Sequence, residues 1–265
     1  MPHIAGLHYG LHGPEGGEPL ILSAGLGGSG NYWLPNLPAL AERFRVILYD
    51  HRGTGRSDRA LPDAVTVEQF ADDMLLLMDG LGIGRAHVMG HAAGGIAALA
   101  LALKAPARVN RIAVVNGWAK ADPHFLRCFD ARLALLRGAG PEAYLRAQPI
   151  FLFPANWISE HSAELDAELP HQLAQFPGRE TMEKRIAALA AFDATGRLGE
   201  IAALVLVMAS ADDMLVPSNA ARRLADGLPH ARLVLCPTGG HAINVTCADS
   251  FNQTVLAWFA GDSPQ

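Results

Sequence analysis

The sequence AHVMGHAAGGIAALAL, residues 86–101, joins an apolar run to an alanine-rich run through closely spaced glycines. An apolar strand, a tight glycine turn and a helix in this order are typical of the nucleophile elbow, Gly-x-Ser-x-Gly. Here the frame GHAAG spans residues 90–94, and Ala92 stands where the serine belongs. The sequence therefore predicts the strand–turn–helix unit and leaves its nucleophile position vacant.

Similar apolar runs recur on both sides of this turn. Most are continuous rather than alternating, as in strands of a parallel sheet that is covered on both faces. Helical patterns lie between them, and strands that alternate with helices indicate an α/β fold with a doubly wound, mostly parallel sheet. We expect strands at 19–25, 44–50, 86–90, 111–116, 203–210 and 231–237, and helices at 67–82, 95–106, 218–229 and 249–261.

The alternation stops between residues 117 and 198. This stretch contains helical patterns at 124–140 and 178–194, with proline breaks at Pro149, Pro154, Pro170 and Pro177. We interpret it as a helical lid inserted into a core formed by residues 1–116 and 199–265. A separate small helical domain is the alternative, and it is weaker because sheet elements resume directly afterwards.

Composition limits the classes of function. The 265 residues are 50% hydrophobic with a net charge of −5, which suits a globular core and argues against a nucleic-acid partner. The longest uncharged apolar run, residues 92–103, is too short to span a bilayer, so we expect no membrane partner. Three unpaired cysteines and an N-terminal segment without a signal-peptide pattern favour a cytoplasmic location.

Two polar loops follow strands in the first third of the chain. LSAGLGGSGNYW, residues 22–33, is a glycine-rich turn whose backbone N–H groups could point into a site. It lacks the Gly-Lys-Ser/Thr ending of a phosphate-binding loop. In YDHRGTGRSD, residues 49–58, we interpret Asp50 and Arg52 as side chains that tie loops together.

Two segments near the carboxyl end each place a titratable residue just after a strand. SADDMLVP, residues 210–217, supplies an acid, and TGGHAIN, residues 238–244, supplies a histidine. The chain order of nucleophile position, acid and histidine is the order expected with a nucleophile elbow. Loops that follow the carboxyl ends of parallel strands meet at one edge of the sheet. We therefore expect the acid and the histidine to lie beside Ala92.

Taken together, these segments resemble the α/β-hydrolase family with a helical lid. The resemblance implies that Asp213 is the acid and His241 the histidine, and that the backbone N–H groups of Leu26 and Ala93 form the oxyanion hole. Asp212 is the alternative acid. It is less favoured because the family places its acid four residues before a proline, and here that proline is Pro217.

A closer resemblance is to a group within this family that serves bacterial pyrimidine (uracil) catabolism and also carries alanine at the elbow. It rests on SAGLGGSGNYWLPNL (23–37), VMGHAAGG (88–95), VVNGW (114–118) and AQPIFLFPANW (147–157). The resemblance implies a hydrolase that acts on carbamate or aminoacrylate and uses no cofactor.

The alanine at the elbow limits the chemistry. Loss of a serine nucleophile lowers kcat by about 10⁶, while the oxyanion hole and binding alone retain roughly 10³–10⁴ over water. Such a remainder suffices only for a labile substrate, for which His241, oriented by Asp213, would serve as general acid/base. The alternatives are a catalytically silent binding or accessory protein, and a serine esterase whose nucleophile was replaced by Ala92.

The remaining candidates surround these positions. A metal site of His91, His241 and Asp213 is disfavoured because the usual ligand spacing is missing. We expect a small-molecule substrate and a monomer or homodimer; a small polar pocket would favour carbamate, and a deep apolar one would argue against it. Candidate substrate contacts are His91, Tyr32, Trp118 and Asn244. The lid aromatics Phe151, Phe153 and Trp157 either line the pocket or fasten the lid to the sheet. The lid arginines Arg127 and Arg132 either bind a substrate carboxylate or face solvent.

Overall fold

A computed structural model describes residues 2–261, and the strands of this part of the chain form one eight-stranded sheet. The strand order is β1-β2-β4-β3-β5-β6-β7-β8. The strands from β3 to β8 run parallel to one another, whereas β2 pairs antiparallel with both β4 and the edge strand β1. Their bounds are His3–Ile4 (β1), Leu7–His12 (β2), Glu18–Ser23 (β3), Phe44–Tyr49 (β4), Ala86–His91 (β5), Val109–Val115 (β6), Leu204–Ser210 (β7) and Ala231–Cys236 (β8).

Helices cover both faces of this sheet. One apolar layer packs α2, α3 and α8 against the strands, and a second layer packs α1 and α10 against the opposite face. The predicted doubly wound α/β fold is therefore confirmed. The helices are α1 (Leu37–Ala41), α2 (Val67–Gly80), α3 (Ala93–Lys104), α4 (Pro123–Leu152), α5 (Ala155–Glu160), α6 (Ser162–Gln175), α7 (Arg179–Ala191), α8 (Ser218–Gly227), α9 (Ile243–Thr246) and α10 (Ala248–Ala260).

Helices α4 to α7 all lie between β6 and β7. Three of them, α4, α6 and α7, share an apolar cluster formed by Leu136, Tyr144, Leu145, Leu169 and Met182. Two of the expected proline breaks are wrong, because Pro149 lies inside α4 and Pro170 inside α6. The chain interrupts α4 at Gly140 instead, where φ is +84°.

The parallel arrangement brings several loops to one edge of the sheet. The turns that follow β3, β5, β7 and β8 all leave from the carboxyl ends of parallel strands. This edge carries the glycine-rich turn, Ala92, Asp213 and His241. Within residues 2–261, no helix is long and apolar enough to cross a membrane.

Candidate active site

The turn between β5 and α3 has the geometry of a nucleophile elbow. Ala92 has φ +46° and ψ −107°, a conformation that side chains rarely adopt, and its N–H donates to the carbonyl of Val115 at 2.8 Å. A Cβ on Gly90 would lie 2.2 Å from the backbone of Gly94, and one on Gly94 would lie 2.1 Å from the carbonyl oxygen of Ser23. The two glycines are therefore required by close backbone approach.

A histidine–carboxylate pair is buried at the same edge. His241 Nδ1 lies 2.8 Å from Asp213 Oδ2, and neither side chain is appreciably exposed. The other oxygen, Asp213 Oδ1, accepts the N–H groups of Leu215 at 2.8 Å and Val216 at 2.9 Å. These donors fix the carboxylate and direct its free oxygen to the imidazole. Nδ1 therefore carries a proton, and the Nε2 edge of His241 is left for the cavity.

The neighbouring carboxylate of Asp212 has another role. It accepts the N–H of Gly240 at 2.8 Å and the N–H of Gly239 at 3.3 Å. Asp212 thus braces the loop that precedes His241, whereas Asp213 holds the imidazole itself. Of the two acids considered, the structure pairs Asp213 with His241.

Two further side chains hold the backbone of His241. The carbonyl oxygen of His241 accepts Asn116 Nδ2 at 2.6 Å and His91 Nε2 at 2.8 Å. Asn116 has φ +49°, and its Oδ1 accepts the N–H of Ser210 at 3.2 Å, so it links the ends of three strands. The sequence analysis assigned no role to Asn116, although it lies within the VVNGW segment.

His91 is a neutral wall residue of the site. Because Nε2 donates to a carbonyl, the lone pair is on Nδ1, which has no hydrogen-bond partner within residues 2–261. Burial, with a smaller contribution from His241, holds the pKa of His91 well below its ordinary value. The ring of Tyr32 stacks on it at 4.7 Å. No group of three metal-ligating side chains occurs in the described chain.

Tyr32 and Asn244 form one unit. The hydroxyl of Tyr32 donates to Asn244 Oδ1 at 2.6 Å, and Asn244 Nδ2 donates to Asn36 Oδ1 at 3.1 Å. Asn244 is fully buried and lies behind Tyr32, outside the lining of the cavity, whereas Tyr32 lines it. Asn244 therefore positions Tyr32 instead of facing the cavity, which differs from the expected substrate contact.

The glycine-rich turn after β3 faces the elbow. The Gly28 N–H closes this turn on the Gly25 carbonyl at 3.0 Å, and Leu26 lines the cavity. The N–H groups of Leu26 and Ala93 donate to no acceptor among the described residues. That of Ala93 belongs to the first turn of α3, where helix N–H groups lack internal partners and favour anions.

A buried network fastens this turn from behind. Arg185, on α7, donates from Nε to the Leu26 carbonyl at 3.0 Å and from Nη2 to His51 Nδ1 at 2.9 Å. Because a guanidinium only donates, His51 Nδ1 accepts and its Nε2 donates to Ser23 Oγ at 3.0 Å. Burial lowers the pKa of Arg185 to about 10 and holds that of His51 well below its ordinary value. No motif of the sequence points to either side chain.

The polar loop after β4 is internally tied. Asp50 accepts the Gly30 N–H at 2.8 Å and Arg56 Nε at 2.7 Å. Arg52 donates to the carbonyl of Ala5, in the turn between β1 and β2, at 2.9 Å, and pairs with Asp73 of α2 at 3.0 Å. Asp50 and Arg52 therefore link neighbouring loops, as interpreted from the sequence.

These elements enclose a cavity of about 500 Å³ between the sheet edge and helices α4, α6 and α7. Ala92, His91, His241 and Leu26 contribute to its wall beside the elbow. Its surface is mostly apolar, and its volume falls in the range of pockets that hold drug-sized ligands, about 300–1,000 Å³. The cavity is many times larger than carbamate and mostly apolar, which is the outcome that argues against carbamate as the substrate.

The candidate residues of the inserted helices separate into two groups. Trp118 and Arg132 are buried and line the cavity, and Trp118 packs on Phe125 at 4.6 Å. Arg127 is exposed and donates to the carbonyl of Pro123 at 3.3 Å. Four of these candidates do not line the main cavity: Phe151, Phe153, Trp157 and Arg127.

Comparison with known proteins agrees with this architecture. A family model described as alpha/beta hydrolase fold matches residues 18–246. A protein of Caulobacter sp. (strain K31) named "Putative carbamate hydrolase RutD" is 53% identical over 262 residues, which cover 98% of each chain. A protein of the same name from Variovorax paradoxus (strain S110) is 50% identical, over 96% of each chain. The crystal structure of the enol-lactonase from Burkholderia xenovorans LB400 is 29% identical with a TM-score of 0.87, over 97% of this chain and 98% of that one.

Proposed function

The chain belongs to the alpha/beta hydrolase fold family, and we propose that it breaks the C–N bond of a small, labile carboxylate without a covalent intermediate. The substrates proposed are carbamate and aminoacrylate of uracil breakdown. The name shared by its relatives and the Rut pathway to which that name refers support this assignment.

One observation carries the proposal: the histidine–carboxylate pair is complete while the nucleophile is missing. Ala92 offers only a methyl group, yet His241 and Asp213 are held by the same hydrogen bonds that a working pair needs. A protein that only bound ligands would have no use for an imidazole fixed in this way. Proton transfer is therefore the chemistry that the site retains.

Carbamate breakdown needs only that chemistry. The imidazolium of His241 gives its Nε2 proton to the carbamate nitrogen. The C–N bond then breaks, its electron pair goes to nitrogen, and ammonia and carbon dioxide leave; solvent returns a proton to the imidazole. The carboxylate is held during this step by the N–H groups of Leu26 and Ala93, at the turn and at the start of α3.

Aminoacrylate is the second candidate substrate, and the size of the cavity favours it over carbamate. His241 would protonate the carbon beside the carboxylate, which leaves an iminium at the next carbon. Water adds to that carbon and ammonia leaves, so that the products are ammonia and an aldehyde acid. The helical insertion of residues 117–198 acts as the lid that covers the substrate, and Tyr32, His91 and Trp118 form the walls around it.

Replacement of His241 tests the proposal. His241→Ala should lower the rate of carbamate breakdown above background by about 10²–10⁴-fold, the usual contribution of a general acid/base. Proton uptake after rapid mixing with fresh ammonium carbamate measures this rate once the spontaneous rate in the same buffer is subtracted. His230→Ala, an exposed histidine far from the cavity wall, is the matched control.

The same measurement separates the alternatives. An unchanged enzymatic rate in His241→Ala would reject the mechanism. Absence of any rate above background in the unaltered protein, with either substrate, would favour a silent binding or accessory protein.

A further inference from the structure

Arg132 is a buried guanidinium that has no carboxylate partner among residues 2–261. Its side chain is only 3% exposed, and it is the one arginine or lysine among the described residues that line the cavity. Nη2 donates to the hydroxyl of Tyr144 at 2.7 Å and to Gln148 Oε1 at 3.0 Å, both neutral groups. Glu168, the carboxylate of the described residues that line the cavity, is exposed, and Arg132 is not hydrogen-bonded to it.

The remaining donors of Arg132 are unused. Nε is fully buried and has no hydrogen-bond partner in the part of the chain that the structure describes. Nη1 forms no hydrogen bond there either, and it is not among the fully buried atoms that lack partners. Nη1 is therefore the donor that a molecule in the cavity can reach.

The other fully buried guanidinium provides the contrast. All three nitrogens of Arg185 are used, on the Leu26 carbonyl, the Arg52 carbonyl and His51 Nδ1, and Arg185 does not line the cavity. A buried structural arginine of this protein thus satisfies its donors within the chain. Arg132 differs because its Nε and Nη1 donors have no partners among the described residues and because it lines the cavity.

Aromatic faces compensate part of the buried charge. The guanidinium carbon of Arg132 lies 5.1 Å from the ring centre of Phe129, 4.7 Å from that of Tyr144 and 5.5 Å from that of Phe151. Such cation–π contacts stabilise a cation but do not occupy its in-plane N–H donors. A buried cation that keeps free donors on a cavity wall is suited to an anion, and arginine is the residue that matches a carboxylate.

Arg132 and His241 line the same cavity from different elements of the fold. Cys128 Sγ lies 3.6 Å from the carbonyl of Met214, the residue after Asp213. Arg132 is four residues farther along the helix, which is about 6 Å at 1.5 Å per residue. The backbone of Arg132 thus lies about one helical turn farther along α4 than that of Cys128, the residue that contacts the segment after Asp213.

We infer that Arg132 binds the carboxylate of an organic acid longer than carbamate, whose other end reaches His241. This inference deepens the proposed function. It rests on that function only for the assignment of the reacting end of the substrate to His241. Unbranched acids of several carbons belong to the class, and the apolar walls of Phe125, Phe129 and Leu145 suit their carbon chains.

The experiment compares a carboxylate with its neutral amide. Binding of acetate, butyrate, hexanoate and butyramide to the full chain is measured by ligand-observed NMR. Butyrate and hexanoate are expected to bind more tightly than butyramide by about 10- to 100-fold, the range for a hydrogen bond to a charged group. Arg132→Gln should abolish this difference, and Arg132→Lys should restore part of it. Arg127→Gln, one turn away and exposed, is the matched control and should leave the difference intact.

The outcomes decide the inference without any turnover. Equal binding of butyrate and butyramide by the unaltered protein overturns it, even if Arg132→Gln fails to fold. An amide–carboxylate difference that persists in folded Arg132→Gln also overturns it. Loss of carbamate and aminoacrylate activity with the carboxylate preference intact would reject the proposed reaction and leave this binding role standing.

Discussion

Asp213→Asn should remove most of the activity of the proposed site while leaving the fold in place. Oδ1 accepts two backbone N–H groups, from Leu215 and Val216, so the oxygen of the new amide must take that position. The amide nitrogen is then directed at His241 Nδ1, 2.8 Å from the present carboxylate oxygen. Because an amide N–H donates, the imidazole must accept at Nδ1 and carry its proton on Nε2.

This exchange disfavours the imidazolium that the reaction uses. A hydrogen bond to a charged group contributes about 1.5–3 kcal/mol, and Asp213→Asn replaces it with two N–H groups that face each other in the protonated state. The lost hydrogen bond and the opposed N–H groups together cost more than the lost bond alone, so we expect Asp213→Asn to raise the activation free energy by about 4 kcal/mol. At 1.36 kcal/mol for each tenfold change, this is a fall in kcat of about 10³, within the range of general acid/base catalysis.

Proton uptake after mixing with fresh carbamate or aminoacrylate measures the effect, and urea unfolding shows whether stability is retained. Asp212→Asn is the matched control, because its amide oxygen can keep the shorter hydrogen bond, from the N–H of Gly240 at 2.8 Å, and gives up only the longer one from Gly239 at 3.3 Å, without touching the imidazole. A folded Asp213→Asn protein with the activity of the unaltered chain would refute the assignment of His241 as acid/base. An equal loss in Asp212→Asn would show that loop position, and not the tautomer, controls the rate.

Three further changes test the elbow and the buried histidines. Ala92→Ser should raise p-nitrophenyl acetate hydrolysis by about 10²-fold or more, since it adds only the missing nucleophile, whereas Ala92→Gly should not; no gain in the serine variant would contradict the elbow geometry. Gly94→Ala should destabilise the protein by about 2–3 kcal/mol in urea unfolding, because its Cβ would lie 2.1 Å from a backbone oxygen, while Gly138→Ala, in open space on α4, should stabilise it by about 0.5–1 kcal/mol. Burial keeps the pKa of His51 and His91 below the unfolded value of 6.5, so the unfolded chain binds more protons and the free energy of unfolding should fall from pH 7 to 5, by up to about 1.4 kcal/mol per pH unit for each histidine. His91→Asn should make the decline in the free energy of unfolding shallower. An equally steep decline in this variant would contradict the contribution assigned to His91.

The parallel core could be predicted because its strands are buried on both faces and therefore form continuous apolar runs. Strand β1 has only two residues, and β2, LHYGLH, mixes histidines and a glycine with its apolar residues, so neither forms a continuous apolar run. The start of α3 was set at residue 95, yet the helix begins at Ala93. Gly94 and Gly95 signalled a turn by their conformational freedom, whereas in the structure they are helical and small because the backbone of β3 and β5 passes so close.

The site was predictable only where chain order and local position carry information. Asp213 and His241 each follow a strand, and their order after the elbow singled them out. Arg185 could not be found in this way, because its contacts with Leu26 and His51 join residues more than a hundred positions apart. The size of the cavity was equally hidden, since it depends on how α4, α6 and α7 pack against one another.

The strained elbow supports the proposed chemistry from another direction. A non-glycine residue at φ +46° costs about 1–2 kcal/mol, and without a serine this strain no longer presents a nucleophile. The conformation still places the N–H of Ala93, which has no acceptor among the described residues, at the N-terminus of α3, where it can bind an anion. The N–H of Ala92 is not available, because it donates to the carbonyl of Val115. If the elbow now serves to hold an anion beside His241, then a glycine at position 92 would preserve that role and relieve the strain. Ala92→Gly should thus keep carbamate or aminoacrylate turnover even though it gains no esterase activity, and only a site that works by proton transfer behaves in this way.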